Sequence, residues 1–177
     1  MGLFGFPTYT VARKHDNRNL DRWINDFRGR TGQFMLPIEG SGDQIAKLLR
    51  HGGILTLLGD QSAGRKGCWV DFFGKAASTH KAVAVFSLGS GAPTMVSYAR
   101  RMGKPLHYEV GPWEIIDPLA EDFQYSTIPL FAQWYTSCLE KIIAKSPEQY
   151  WWLHRRWKGK PPARVVQRIA EKRQQAA

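Results

Sequence analysis

The segment Ile54-Leu-Thr-Leu-Leu58 lies between Gly52-Gly53 and Gly59, and it limits the folds open to this chain more than any other stretch. An apolar run this short, bounded by glycines, reads as a buried strand of the kind found in parallel sheets. The residues before it alternate in the matching way. Tyr9 to Arg13 is rich in β-formers. Asn17 or Asn19 can cap a helix carrying Leu20, Trp23, Ile24 and Phe27 on one face, and Gly29 and Gly32 close it. Gln33 to Leu36 reads as a short strand. Ser41 to Gln44 fits a capping box that opens a helix with Ile45, Leu48 and Leu49. Strand–helix–strand–helix–strand within sixty residues predicts an α/β fold.

Further along, Ser62 to Gly74 reads as a glycine-rich loop holding Arg65, Lys66 and Trp69. A small apolar helix over Thr79–Leu88 ends at Gly89-Ser-Gly91. Thr94–Ala99 and Leu106–Val110 form a hairpin, and Pro112–Tyr125 reads as irregular and acidic. Phe131, Trp134, Tyr135, Cys138, Leu139 and Ile142 recur at helical spacing after Pro129. Pro161-Pro162 breaks the chain, which predicts one domain over 1–162 and a polar helical or disordered tail over 163–177. At 177 residues the chain is long enough for a core and short for two domains.

Charge narrows the class of ligand. The formal net charge is +10, and from Trp151 to the end there are eight basic residues against one acid, Glu171. An anionic partner follows: nucleic acid, acidic lipid or a phosphorylated substrate. Two cysteines make neither a zinc site nor a disulfide scaffold. No run reaches the roughly 18 apolar residues that a spanning helix needs.

Four groups of residues are candidates for chemistry. Asp60 and Gln61 follow the apolar strand, where open α/β sheets bind ligands; a turn or helix cap is the plainer alternative. Arg28 and Arg30 flank Gly29, and guanidinium forks match phosphate, although cations at a helix C-terminus also offset its dipole. Arg155, Arg156 and Lys158 stand among Trp151, Trp152 and Trp157, a pattern suited to anionic headgroups, to stacked RNA or to a basic helix end with core tryptophans. No histidine has a second His or Cys at metal-ligand spacing, and no G-x-S-x-G elbow is present.

Five blocks, in order, carry a resemblance. They are Arg13-x-x-Asp16-Asn17-x-x-Leu20-Asp21, Phe27-Arg28-Gly-Arg30-Thr-Gly32, Asp60-Gln61, Val70-Asp-Phe72-Phe73-Gly74, and Pro147-Glu-Gln-Tyr150-Trp-Trp152-Leu-His154-Arg155-Arg156-Trp157-Lys158. Together they resemble the bacterial lipid A biosynthesis acyltransferases, from about Phe6 to Pro162. The resemblance implies a glycerolipid-acyltransferase-like fold, a mixed sheet flanked by helices. It implies acyl transfer from an acyl carrier protein thioester to a hydroxyl of a phosphorylated glycolipid, a lipid A precursor, at the cytoplasmic face of the inner membrane. An anionic membrane surface is the implied partner; no cofactor, metal or nucleic acid is. Arg28, Arg30, Asp60 and Gln61 become expected substrate-binding residues, and Arg155, Arg156 and Lys158 expected membrane or anion contacts.

The resemblance also implies a catalytic base, a His with Asp or Glu five positions later. None of the five histidines satisfies this; His15 comes nearest, with Asp21 one residue too far. The catalytic residue is therefore unassigned. The reading that follows is an N-terminally truncated domain, without its anchor and catalytic block. The rival is a non-catalytic relative that binds membrane or acyl carrier protein. Purified as residues 1–177, the chain is expected to be insoluble or inactive; robust acyl transfer in a thioester-release assay would overturn that expectation.

Overall fold

A computed structural model describes residues 2–175, so Ala176 and Ala177 of the expected tail lie outside the described residues. The described chain forms two compact units, which divide after Leu58.

The first unit is the βαβαβ alternation. Strands β1 (Thr8–Ala12), β2 (Gln33–Pro37) and β3 (Ile54–Thr56) form one sheet in the order β2-β1-β3, with both pairings parallel. Parallel neighbours need a crossover, and helices α1 (Arg18–Arg30) and α2 (Gly42–Arg50) supply it. Asn17 caps α1 by accepting from the backbone N–H groups of Asn19 and Leu20 at 3.0 and 3.1 Å. Ser41 makes no such bond, so the expected capping box does not form. The strand after α2 is also shorter than its sequence suggests. It stops at Thr56, it is half-buried, and Leu58 is exposed. Among the described residues β3 pairs on one side only, with β1.

The second unit is organised by α4 (Ile128–Lys145), capped by Thr127 and opened by Pro129. Its stripe is the expected one. Phe131, Trp134, Tyr135 and Cys138 are buried together with Val70, Ala84 and Val96. The Glu114 carboxylate accepts from the indole N–H of Trp134 and, at 3.5 Å, from the Cys138 thiol. Burial, reinforced by Glu114, pushes the Cys138 thiol up to about 12. Helix α3 (Ala82–Ser90) ends at Gly91, whose φ of 73° is the left-handed value that suits glycine.

Two antiparallel hairpins flank this helix. β6 (Thr94–Arg101) pairs with β7 (Tyr108–Ile116), so the stretch that opens at Pro112 is strand as far as Ile116 rather than irregular. The expected loop Ser62–Gly74 holds another difference. β4 (Cys68–Phe72) and β5 (Lys75–Thr79) pair antiparallel across a two-residue turn, Phe73-Gly74. Both turn residues have positive φ, 52° and 73°, as the turn that matches strand twist requires. Glycine takes this without cost; a phenylalanine does not, and left-handed backbone costs about 1–2 kcal/mol. Contacts hold Phe73 there: its N–H donates to Glu140 Oε1 at 2.6 Å, and its ring lies edge-on to Phe72 at 4.8 Å. The α/β class holds, with parallel and antiparallel pairing distributed over three small sheets.

Segment 150–160, where a basic helix end was one reading, is turns without regular helix. The basic helix follows it as α5 (Ala163–Gln175), with Ile169 buried.

Phe72 is fully buried and packs with Ala77, Ile143, Tyr150 and Trp157. Phe72→Ala is expected to destabilise the protein by about 3–5 kcal/mol, measured as a shift in the denaturant midpoint.

Candidate functional site

The signature around Trp151 has two faces. Facing inward are the anchors. Arg156 is 1% exposed; its guanidinium donates to the Ser78 carbonyl at 2.7 Å and to Thr79 Oγ1 at 2.5 Å, and it lies 4.9 Å from the Phe72 ring centroid. The Trp157 indole N–H donates to the Phe72 carbonyl at 3.1 Å. Both residues therefore grip the β4–β5 hairpin. Gln149 holds the end of β6, exchanging bonds of 2.8 and 3.1 Å with the backbone of Arg101. Tyr150 and His154 hold the strand exit. The Tyr150 hydroxyl donates to the Asp60 carbonyl at 3.3 Å, and His154 Nε2 accepts from the Ser62 N–H at 2.9 Å. That last bond fixes the His154 tautomer, with the ring proton on Nδ1.

Facing outward are the residues between these anchors. Trp151, Leu153, Arg155 and Lys158 line a groove of about 1310 Å³. Its opposite wall is the stretch Asp60–Lys66 with Trp69. Among the described residues, Arg65, Lys66, Arg155, Lys158 and Lys160 bring five cations against the single carboxylate of Asp60. Trp151 is 70% exposed and Leu153 is 87% exposed, so the rim is apolar as well as cationic. Gly159 closes one side, where its φ of 105° lets the backbone lie against the Trp69 indole. Such a groove suits a ligand that is anionic at one end and apolar at the other.

Asp60, Gln61, Arg155 and Lys158 thus converge, whereas Arg156 is committed to the hairpin. Arg28 and Arg30 lie in the last turn of α1, in the first unit. Arg28 is half-buried, with its Nη1 3.5 Å from Met35 Sδ, and Arg30 is exposed. Arg65, Lys66, Trp69 and Lys160 were not assigned a role from sequence. For Arg65 and Lys66 the signal was a pair of cations set between Gly64 and Gly67.

The groove offers binding groups rather than an evident base. His154 Nε2 already accepts a hydrogen bond from the Ser62 N–H. His80, close enough to feel Asp60 and Arg156, is held below its ordinary pKa, first by burial and then by the Arg156 charge, against the opposing pull of Asp60. Near His15, the Asp21 carboxylate accepts from the backbone N–H, at 2.9 Å.

The second unit thus carries a cationic groove with an apolar rim. Residues 5–159 match the family described as bacterial lipid A biosynthesis acyltransferase, and the chain belongs to that family. It is 31% identical over 160 residues to the lipid A biosynthesis lauroyltransferase of Escherichia coli K12, covering 88% of this chain and 50% of that protein. It is 28% identical over 158 residues to the lipid A biosynthesis palmitoleoyltransferase of the same strain, covering 88% of this chain and 49% of that protein. The lipid A biosynthesis acyltransferase of Shigella flexneri matches with the same identity and coverage. The chain spans about half the length of these curated relatives. No helix among the described residues is long and apolar enough to cross a membrane.

Adjacent arginines here have opposite jobs, and stability separates them. Arg156→Ala removes the guanidinium bonds to the Ser78 carbonyl and Thr79 Oγ1 and opens space over Phe72, and is expected to cost about 2–4 kcal/mol in denaturant unfolding. Arg155→Ala, at the exposed groove wall, is expected to stay within about 0.5 kcal/mol of the parent.

Proposed function

We propose that this protein transfers a fatty acyl group from an acyl carrier protein thioester to a hydroxyl of a phosphorylated glycolipid, a lipid A precursor, at the cytoplasmic face of the inner membrane. Family membership supports the reaction class. The observation that carries the reading on this chain is the groove, with five cations, one carboxylate and an exposed Trp–Leu rim.

In this reading Arg155 and Lys158, with Arg65, Lys66 and Lys160, hold the phosphates of the acceptor and face the anionic headgroup layer. Trp151 and Leu153 enter that layer, and each basic residue near it contributes roughly 1 kcal/mol. Arg28 and Arg30 are further phosphate contacts, and Asp60 and Gln61 are wall residues that orient the acceptor. The thioester C–S bond breaks as the ester C–O bond forms. The hydroxyl proton passes to a base and then to the departing thiolate. No residue of 1–177 is assigned as that base. The absence of a His with an acid five positions on favours a second reading, a relative that binds membrane or acyl carrier protein without turnover.

The test is the Arg155→Gln/Lys158→Gln variant of the protein in its native form. Transfer from acyl carrier protein to a phosphorylated precursor is expected to show an acceptor KM raised about tenfold, a loss near 1.4 kcal/mol, with kcat little changed. An unchanged KM would remove the groove from the reading. Parent protein that sediments with anionic vesicles yet transfers no acyl group would establish the second reading instead.

A further inference from the structure

Trp69 also lines a second cavity, of about 680 Å³, elsewhere on the second unit. Three cations stand around it, Lys81, Arg164 and Arg168, and among the described residues no acidic side chain does. Among the same residues none of the three has a carboxylate within salt-bridge distance. All three are exposed at the mouth, free to turn toward a ligand. The rest of the wall is apolar, with Ile128, Pro129 and Val165.

The backbone adds charge of the same sign. Lys81 is the cap of α3, Ile128 is the first residue of α4, and Arg164 is in the first turn of α5. Three helices of nine or more residues thus begin at one cavity, and none has an acid in its first turn. A helix N-terminus carries about half a positive charge, which a first-turn Asp or Glu commonly balances. Here the backbone ends and the side chains add rather than cancel. Cys68, in the same wall, registers the result: Lys81 and Arg168 both act to lower its thiol pKa, although burial wins and raises it.

Solvated cations on a surface explain one or two such residues, each with its own counter-ions. They do not explain why three cations and three helix starts share one concavity without a carboxylate. Guanidinium forks spaced four residues apart on α5 match the oxygens of a phosphate, and the apolar wall suits the carbon side of an ester. We propose that this cavity is a phosphate-binding site, separate from the groove, that takes an organophosphate through Lys81, Arg164 and Arg168. The assignment does not depend on what the groove binds.

Cys68 provides the readout, because an occupant would cover its thiol. The native protein is alkylated with iodoacetamide, and the Cys68 peptide is followed by mass spectrometry at constant pH. Glycerol phosphate replaces sodium chloride at fixed ionic strength. Saturable slowing of Cys68 alkylation, several-fold and not reproduced by chloride, is the expected result. In Arg164→Gln/Arg168→Gln the ratio of rates with and without glycerol phosphate should return to one. Each ratio is taken within one variant, so a change in the basal thiol pKa does not enter it. Lys81→Gln alone should weaken the half-saturation point, a second and milder substitution at an exposed position. A further arm uses phosphatidylcholine vesicles with and without phosphatidic acid. Protection by these vesicles at a lower phosphate concentration than by glycerol phosphate would assign a lipid headgroup; protection only by the soluble ester would assign a free metabolite. No slowing with either source, equal slowing by chloride, or slowing that survives the double substitution would overturn the site.

Discussion

One cation inside the protein holds the groove wall of the second unit in place. The Arg156 guanidinium sits under the β4–β5 hairpin, bonded to Ser78 and Thr79 and stacked over Phe72. A buried charge is costly unless its protons find acceptors, and here two neutral oxygens and an aromatic face supply them. Its Nε is left without a partner. That arrangement ties residues 150–160, which have no regular structure of their own, to a sheet. The groove wall then has a fixed backbone from which Arg155 and Lys158 project.

The consequence is a division of labour within five consecutive residues. Arg156 and Trp157 face the protein and are spent on Ser78 with Thr79 and on Phe72, while His154, which also borders the groove, is tied to Ser62. Arg155 and Lys158 face the groove. The Val70–Gly74 block is the other half of the same joint. Val70 and Phe72 are core, while Phe73-Gly74 is the turn that lets two short strands close over them. Much of what makes these blocks specific is therefore architecture, and the groove-facing residues are the ones set between the anchors.

The α/β class was legible because its signals are local. The apolar stripe of α4, the Asn17 cap and the strand–helix alternation each lie within one turn or one strand. Three things were not. β3 reads as a buried five-residue strand, but burial depends on what a strand packs against, and among the described residues this one pairs on one side and ends at Thr56. The β4–β5 hairpin hid behind glycines and charges, although Val70 and Phe72 alternate as a strand should. That Arg156 points inward depends on contacts 77 and 78 residues away, beyond any pattern in the segment itself. Of the site, the sequence showed Asp60, Gln61, Arg155 and Lys158 as candidates; that they share one wall with Arg65, Lys66 and Lys160 required the fold.

Arg156 is held by a carbonyl, a hydroxyl and a ring, none of which gains a proton in mild acid. A salt bridge in its place would slacken as its carboxylate titrated. Anionic surfaces attract protons along with other cations, so water touching them is more acidic than the bulk. A clasp made of a permanent cation and non-titrating oxygens keeps its grip across that gradient. The tie between residues 150–160 and the β4–β5 hairpin is therefore one that mild acid leaves in place.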